Sequence, residues 1–358
     1  MKIHTDPLTE SATWSEIHAQ PEIWRRWANS LAGRALEIRT WIANRQPSEI
    51  WLCGAGSSAY IGDVVASGDA RLRAIPTTDL VSAPQSYLER RDHVLIVQFG
   101  RSGDSSESIM SLDLLDAHRP DWDRLHVTCN PTGALATRAA PGPGEDRIIA
   151  LPPATHDRGF AMTSSFSTML LSALACLSPF DPETGLPALA TAAEALLEVP
   201  TMAELPRPER AIFLGSGALT GAARESSLKV LELTAGQTIT QWDSALGFRH
   251  GPKAAVNDST HVFVMLHPYD HTHRYDDDIA VEIRAQFPSA KVTTIGRGGD
   301  IPVQTTGCAR ADAPLYVIPS QVLGARWSAE LGYCVDDPFK GQNLSRVVSG
   351  VSFYPYAG

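Results

Sequence analysis

Apolar positions in this chain come in short clusters, each closed by glycine, proline or a small polar residue and followed by a stretch of helical character. Ile50-Trp51-Leu52-Cys53 runs into Gly54-Ala55-Gly56-Ser57-Ser58, and Ile212-Phe213-Leu214 runs into Gly215-Ser216-Gly217-Ala218. His93-Val94-Leu95-Ile96-Val97 is answered by His261-Val262-Phe263-Val264-Met265, and His126-Val127-Thr128-Cys129 by Val292-Thr293-Thr294-Ile295. Arg147-Ile148-Ile149-Ala150-Leu151-Pro152 is answered by Pro314-Leu315-Tyr316-Val317-Ile318-Pro319. The pairs keep their order at a separation of roughly 160–170 residues, which marks an internal duplication. Stretches 74–80 and 238–242 supply a fifth strand to each half. Short apolar runs alternating with helices predict a parallel sheet covered on both faces, with ligands beyond the carboxyl ends of its strands.

Ahead of the first strand, residues 8–46 read as two helices, 11–17 and 21–43, with Pro21 in the first turn of the second. Trp14, Trp24, Trp27 and Trp41 read as packing residues. The expected division is a helical segment over 1–46, a first domain over 47–180, a linker over 181–208 with one helix, a second domain over 209–342 and a tail over 343–358.

The halves differ where chemistry is expected. After its second run the first half has Phe99-Gly100-Arg101-Ser102-Gly103-Asp104-Ser105-Ser106. Glycines admit close backbone approach, serines offer hydroxyls, and a helix follows at once, so the loop suits an anion such as phosphate. The competing reading is a serine N-cap formed by Ser105 and Ser108. The matching stretch of the second half, His267-Pro268-Tyr269-Asp270-His271-Thr272-His273, lacks that small-residue cradle and reads as a solvated loop rather than a metal site. In exchange, the second half has a helix over 224–235. There Glu225, Lys229 and Glu232 share one face while Leu228, Leu231 and Ala235 form an apolar stripe on another. A carboxylate–ammonium–carboxylate stripe suits acid–base chemistry. Its plainer reading is an exposed Glu225–Lys229 pair contributing about 0.3–0.5 kcal/mol. One composite site, with phosphate held by one half and chemistry supplied by the other, is the expectation.

A formal charge of −10 over 358 residues argues against binding a nucleic-acid backbone, and no basic run counters it. The hydrophobic share of 43% permits sizeable cores. No apolar run has the length of a membrane span, and the N-terminus carries no apolar signal core, so a cytoplasmic protein with no membrane partner is expected. The five cysteines are scattered and never Cys-x-x-Cys; Cys53 and Cys129 close apolar runs and read as small hydrophobes. Gly54-Ala55-Gly56 is not a dinucleotide fingerprint.

The duplicated glycine-turn sheet, the 100–105 loop and Arg249-His250-Gly251-Pro252 resemble the sugar isomerase (SIS) family. Residues 223–236 with 247–253, and the tail Asn343-Leu344-Ser345-Arg346-Val347-Val348-Ser349-Gly350, resemble its galactosamine-6-phosphate deaminase/isomerase branch, also called tagatose-6-phosphate ketose/aldose isomerase. The likeness spans about residues 45–356. It implies an α/β fold of two tandem SIS domains, each a five-stranded parallel sheet of flavodoxin-like type flanked by helices, behind an N-terminal helical segment. It also implies a 6-phosphate held by Gly100, Arg101, Ser102 and Ser105, with Gly56, Ser57 and Ser58 from the first glycine turn and Thr163 and Ser164 from a further segment. Glu232 would move the proton between C1 and C2, His250 would assist ring opening from a neighbouring subunit, and Lys229 lies beside them. The implied assembly is a homodimer or higher oligomer with shared sites, and neither cofactor nor metal is implied.

One residue departs from the pattern. Where the related glucosamine-6-phosphate synthase has a Schiff-base lysine in its tail, this chain has Arg346, expected to line the substrate. A guanidinium stays protonated and cannot be the amine nucleophile. The resemblance thus implies conversion of galactosamine 6-phosphate to tagatose 6-phosphate and ammonia. The alternatives are a non-deaminating aldose–ketose isomerase and a sugar-phosphate sensor.

Overall fold

The structure, a computed structural model, describes residues 7–89, 92–342 and 344–357; Asn343, which opens the tail motif, lies outside them. The first parallel sheet contains β1 (Glu49–Cys53), β2 (Leu72–Ala74), β3 (Val94–Gly100), β4 (Asp123–Thr128) and β5 (Asp146–Ala150), in the order β2-β1-β3-β4-β5. The second contains β6 (Arg210–Leu214), β7 (Ile239–Asp243), β8 (Thr260–Met265), β9 (Lys291–Gly296) and β10 (Ile301–Pro302), in the order β10-β9-β8-β6-β7. Read from the other edge this is the same order, and it is that of flavodoxin-like sheets. The two sheets therefore share one topology. In each half the strand order reverses once, between β1 and β3 and between β6 and β8. Cys53 pairs with Gln98 in the first and Leu214 with Val264 in the second.

The backbone forms two compact units. One comprises Arg26–His156, Ser165–Glu183 and the segment from Ser345 onward, and contains the first sheet. The other comprises the segment through Arg25, Asp157–Ser164 and Thr184–Leu344, and contains the second. The central strands β3 and β4 are buried along their whole length, as expected for a sheet covered on both faces. Against the first sheet Trp51 meets Trp122 edge-on at 5.1 Å. Cys53 and Cys129 are buried, and burial pushes the Cys53 thiol up to about 12, so both act as small hydrophobes.

Four expectations are corrected. The N-terminal helices are one, Ala12–Arg45, with Pro21 inside it. Its first amides, on Ala12 and Thr13, donate to the Asp336 carboxylate at 2.9 and 2.7 Å, a cap from far along the chain that no local pattern announces. Trp24, Trp27 and Trp41 on this helix are buried. Stretch 74–80 is the end of β2 followed by the helix Thr77–Ser82. The linker contains two helices, Pro182–Leu197 and Thr201–Glu204. Residues 314–319 are the middle of the helix Ala309–Glu330, and the fifth strand of the second sheet is the short β10. That helix is buried nearly all round, so its sequence shows no 3.6-residue period; a short buried apolar run with prolines reads equally as a strand.

Candidate functional site

The first switch point is built by glycine geometry. Gly56 has φ +56°, and a Cβ on Gly54 would lie 2.4 Å from the backbone carbon of Ser58. The turn therefore folds tightly onto the start of the helix Ser57–Val65, with Ser57 and Ser58 both buried. Beside it, β3 ends at Gly100 and the 100–105 loop begins. Gly103 has φ +70°, and a Cβ on Gly100 would meet Leu135 at 2.8 Å. Arg101 is 7% exposed. Ser102 Oγ accepts from the Asp104 amide at 3.2 Å. Ser105 is the N-cap of the helix Ser106–His118: its Oγ accepts from the Ser108 amide at 3.3 Å and lies 2.9 Å from Ser108 Oγ. The capping reading of Ser105 is thus observed, and it leaves the loop's other hydroxyls and amides to be judged on their own.

Two residues without an assigned role hold the loop in place. Asp104 accepts from the Ala134 amide at 2.7 Å and from Asn130 Nδ2 at 3.2 Å, while Asn130 Nδ2 also donates to the Ser102 carbonyl at 2.9 Å. They clip the loop to the turn after β4. An Asp and an Asn at strand-following turns are the sort of signal that could have marked them. The tail of the same unit crosses here as well. Arg101 Nη2 donates to the Arg346 carbonyl at 3.4 Å, and the Ser106 amide donates to the Val348 carbonyl at 3.1 Å. Gly56, Ser57, Ser58, Gly100, Arg101, Ser102, Ser105 and Arg346 thus belong to one unit, at the carboxyl ends of β1 and β3 and on the tail that passes them.

The other unit carries Lys229, Glu232, His250, Thr163 and Ser164. On the helix Leu219–Leu233 the expected faces are inverted. Leu231 is 39% exposed and Leu228 only half-buried, whereas Glu225 and Lys229 are wholly buried. Gly324 on the helix Ala309–Glu330 explains how the charged face is covered. A Cβ there would approach Leu233 to 2.9 Å and the Lys229 carbonyl to 3.4 Å, so the absent side chain lets the helices close up. Lys229 Nζ donates to Glu232 Oε2 at 2.6 Å and lies 3.5 Å from Glu225 Oε1. The surface ion pair expected on the plainer reading is therefore excluded. Glu232, with 23% of its side chain exposed, is the member of the three that reaches solvent.

His250 follows the short helix Gly247–Arg249 on an exposed loop. The loop is pinned by buried Phe248, by the Gly247 amide donating to Ser244 Oγ at 3.1 Å, and by Arg249 Nε donating to Glu282 Oε2 at 2.7 Å. Lys253 Nζ also pairs with Glu282. Among the described residues no hydrogen bond or ion pair joins His250 to Glu232 or Lys229. Thr163 and Ser164 are buried and turned onto Asp157, which accepts both their amides, at 2.8 and 3.1 Å, and both their hydroxyls, at 3.0 and 2.5 Å. The 267–273 histidines likewise have local partners: His267 Nδ1 accepts from the Tyr269 amide and His273 Nε2 lies 3.3 Å from Asp277. No group of three or more His, Cys, Asp or Glu side chains able to hold a metal ion occurs among the described residues. No helix among them is long and apolar enough to cross a membrane.

No family model matches the chain. Individual proteins do. D-galactosamine-6-phosphate deaminase AgaS of Escherichia coli is 35% identical over 386 residues, covering 99% of this chain and 98% of that protein. The protein of the same name from Shewanella sp. is 34% identical, covering 99% of this chain and 95% of its own. The crystal structure of tagatose-6-phosphate ketose/aldose isomerase from Escherichia coli superposes with a TM-score of 0.86 at 33% identity, covering 98% of each chain. With the duplicated switch-point sheets, the glycine–serine loop and the Glu225–Lys229–Glu232 helix already in view, these full-length matches place the chain in the AgaS family of sugar-phosphate deaminases and isomerases, and it is an enzyme of that kind.

Proposed function

We propose that this enzyme converts D-galactosamine 6-phosphate and water to tagatose 6-phosphate and ammonia. The observation that carries the reading is Glu232, a partly exposed carboxylate fixed at 2.6 Å by a buried ammonium on its own helix. A base must be held in one rotamer while still reaching substrate, and this arrangement does both. The 100–105 loop, with the turn at Gly56, Ser57 and Ser58 and with Arg101, binds the 6-phosphate. His250 assists opening of the pyranose; its exposure on a pinned loop suits delivery to a second copy of the chain, and a homo-oligomer belongs to this proposal. Glu232 then takes the proton from C2 of the open-chain aldehyde, and a proton returned to C1 leaves a C1 alcohol and a C2 iminium. Water adds at C2 and ammonia departs. The nitrogen is the substrate's own, so the guanidinium of Arg346 is no obstacle where an imine-forming lysine is not required. A cytoplasmic setting accords with this substrate class.

Turnover of galactosamine 6-phosphate, with ammonia and ketose measured together, tests the reading. Equal amounts of both are expected. Ketose formed from galactose 6-phosphate with no turnover of the amino sugar would instead establish a plain aldose–ketose isomerase.

A further inference from the structure

The two switch points are built on the same plan and finished differently. Gly217 has φ +56°, the value found at Gly56, and a Cβ on Gly215 would strike the Leu219 carbonyl at 2.2 Å just as one on Gly54 would strike Ser58. Counting onward from the paired residues Cys53–Gln98 and Leu214–Val264, His267 falls where Arg101 falls and Ser216 where Ala55 falls. At that place the second half contains Asp276. It is wholly buried; its Oδ2 accepts the His267 amide at 2.9 Å and its Oδ1 accepts the Ser216 hydroxyl at 2.6 Å. Asp276 heads the inward face of the helix Asp270–Gln286, whose other buried members, Ile279, Ala280 and Ile283, are apolar. In the first half the carboxylate of the corresponding loop, Asp104, is turned onto Asn130 and the Ala134 amide.

We propose that Asp276 is the resident anion of the second switch point. It fills from within the chain the place that the first half leaves for the phosphate of the substrate, so each chain takes one phosphate ester and takes it through the first half. The inference rests on the phosphate-cradle reading above. An amide and a hydroxyl already engaged by a carboxylate are not available to a second anion, and a fixed negative charge at the crevice repels one. Burial pushes the Asp276 carboxyl up to about 6, so the fold retains this group at some expense, as expected of a residue kept for what it excludes.

Calorimetric titration with glucitol 6-phosphate, which has no carbonyl to react, tests both readings on the full-length protein. The parent is expected to bind one molecule per chain. The double variant Arg101→Ala, Ser102→Ala should lose that binding and show no residual site. Asp276→Ser, which opens the second switch point while leaving the first untouched, should gain a second site. A parent that binds two molecules per chain, one surviving in the double variant, overturns the inference. So does a folded Asp276→Ser protein that still binds one. If the double variant binds one molecule with parental affinity, the cradle reading itself fails. Should Asp276→Ser not fold, the comparison of parent and double variant still decides: a parent with two sites, one of which survives in the double variant, contradicts a closed second switch point, and a parent with a single site that the double variant loses supports it.

Discussion

Replacing Lys229 by methionine keeps the length of the side chain and removes its charge, and the structure sets the scale of the effect. Lys229 and Glu225 are both wholly buried, 3.5 Å apart, and Glu232 lies at 2.6 Å on the other side of the ammonium. Were the pair on the surface, its loss would cost about 0.3–0.5 kcal/mol. Buried, the change removes the ammonium 3.5 Å from the Glu225 carboxylate in a region closed to water, and breaking a buried pair from one side costs roughly 3–5 kcal/mol. The tenfold gap between these figures makes the experiment decisive. Urea midpoints for the parent, Lys229→Met, Glu225→Gln and the double variant form a thermodynamic cycle. The double variant is expected to be far more stable than the sum of the single losses allows, because glutamine removes the buried charge that Lys229 faced. Protonating a buried carboxyl removes the charge that burial penalises, so the deficit of Lys229→Met should shrink on acidification and be largest at neutral pH and above. A Lys229→Met protein within 1 kcal/mol of the parent (about the scale of a surface pair), or a cycle in which the single losses simply add, would refute the reasoning.

Three further outcomes are expected. Glu232→Gln should fold normally and bind sugar phosphate, yet fail to release ammonia or exchange the C2 hydrogen with solvent, a loss of about 10²–10⁴-fold in kcat; turnover within a few-fold of the parent would count against Glu232 as the base. Ser102→Ala should raise KM for the phosphorylated sugar by about tenfold or more, since hydrogen bonds to charged groups contribute roughly 1.5–3 kcal/mol; an unchanged KM moves the phosphate elsewhere. Burial pushes His261 down to about 4, with its ring on Phe263 and its Nε2 2.8 Å from Thr293 Oγ1. The unfolded chain therefore takes up this proton first. Roughly 3 kcal/mol of stability present above pH 6.5 is lost as pH falls to 4, while Asp276, raised to about 6, contributes in the opposite sense by favouring folding at lower pH. His261→Asn should remove the acid loss, and a stability–pH curve identical to the parent's would show that His261 is not its source.

Much of the architecture was legible from the sequence alone. The order of apolar runs and the glycine turns that close them are local features, and local chain stiffness and close backbone approach act wherever they occur. They suffice for two parallel sheets, for both switch points and for the contrast between the glycine–serine loop and its histidine-bearing counterpart. What the sequence could not settle were matters of which face is covered. The stripe of Leu228, Leu231 and Ala235 has the look of a buried face, yet Glu225 and Lys229 are the residues inside, because Gly324 on a distant helix allows close packing over them and the charges satisfy one another. Residues 314–319 read as a strand because a segment buried on every side loses the period that tells helix from strand. Asp336 capping the first helix, Asp157 gathering Thr163 and Ser164, and Asp276 closing the second switch point all meet partners brought to them by the fold. A carboxylate's role depends on which amides and hydroxyls surround it, and only the tertiary structure decides that.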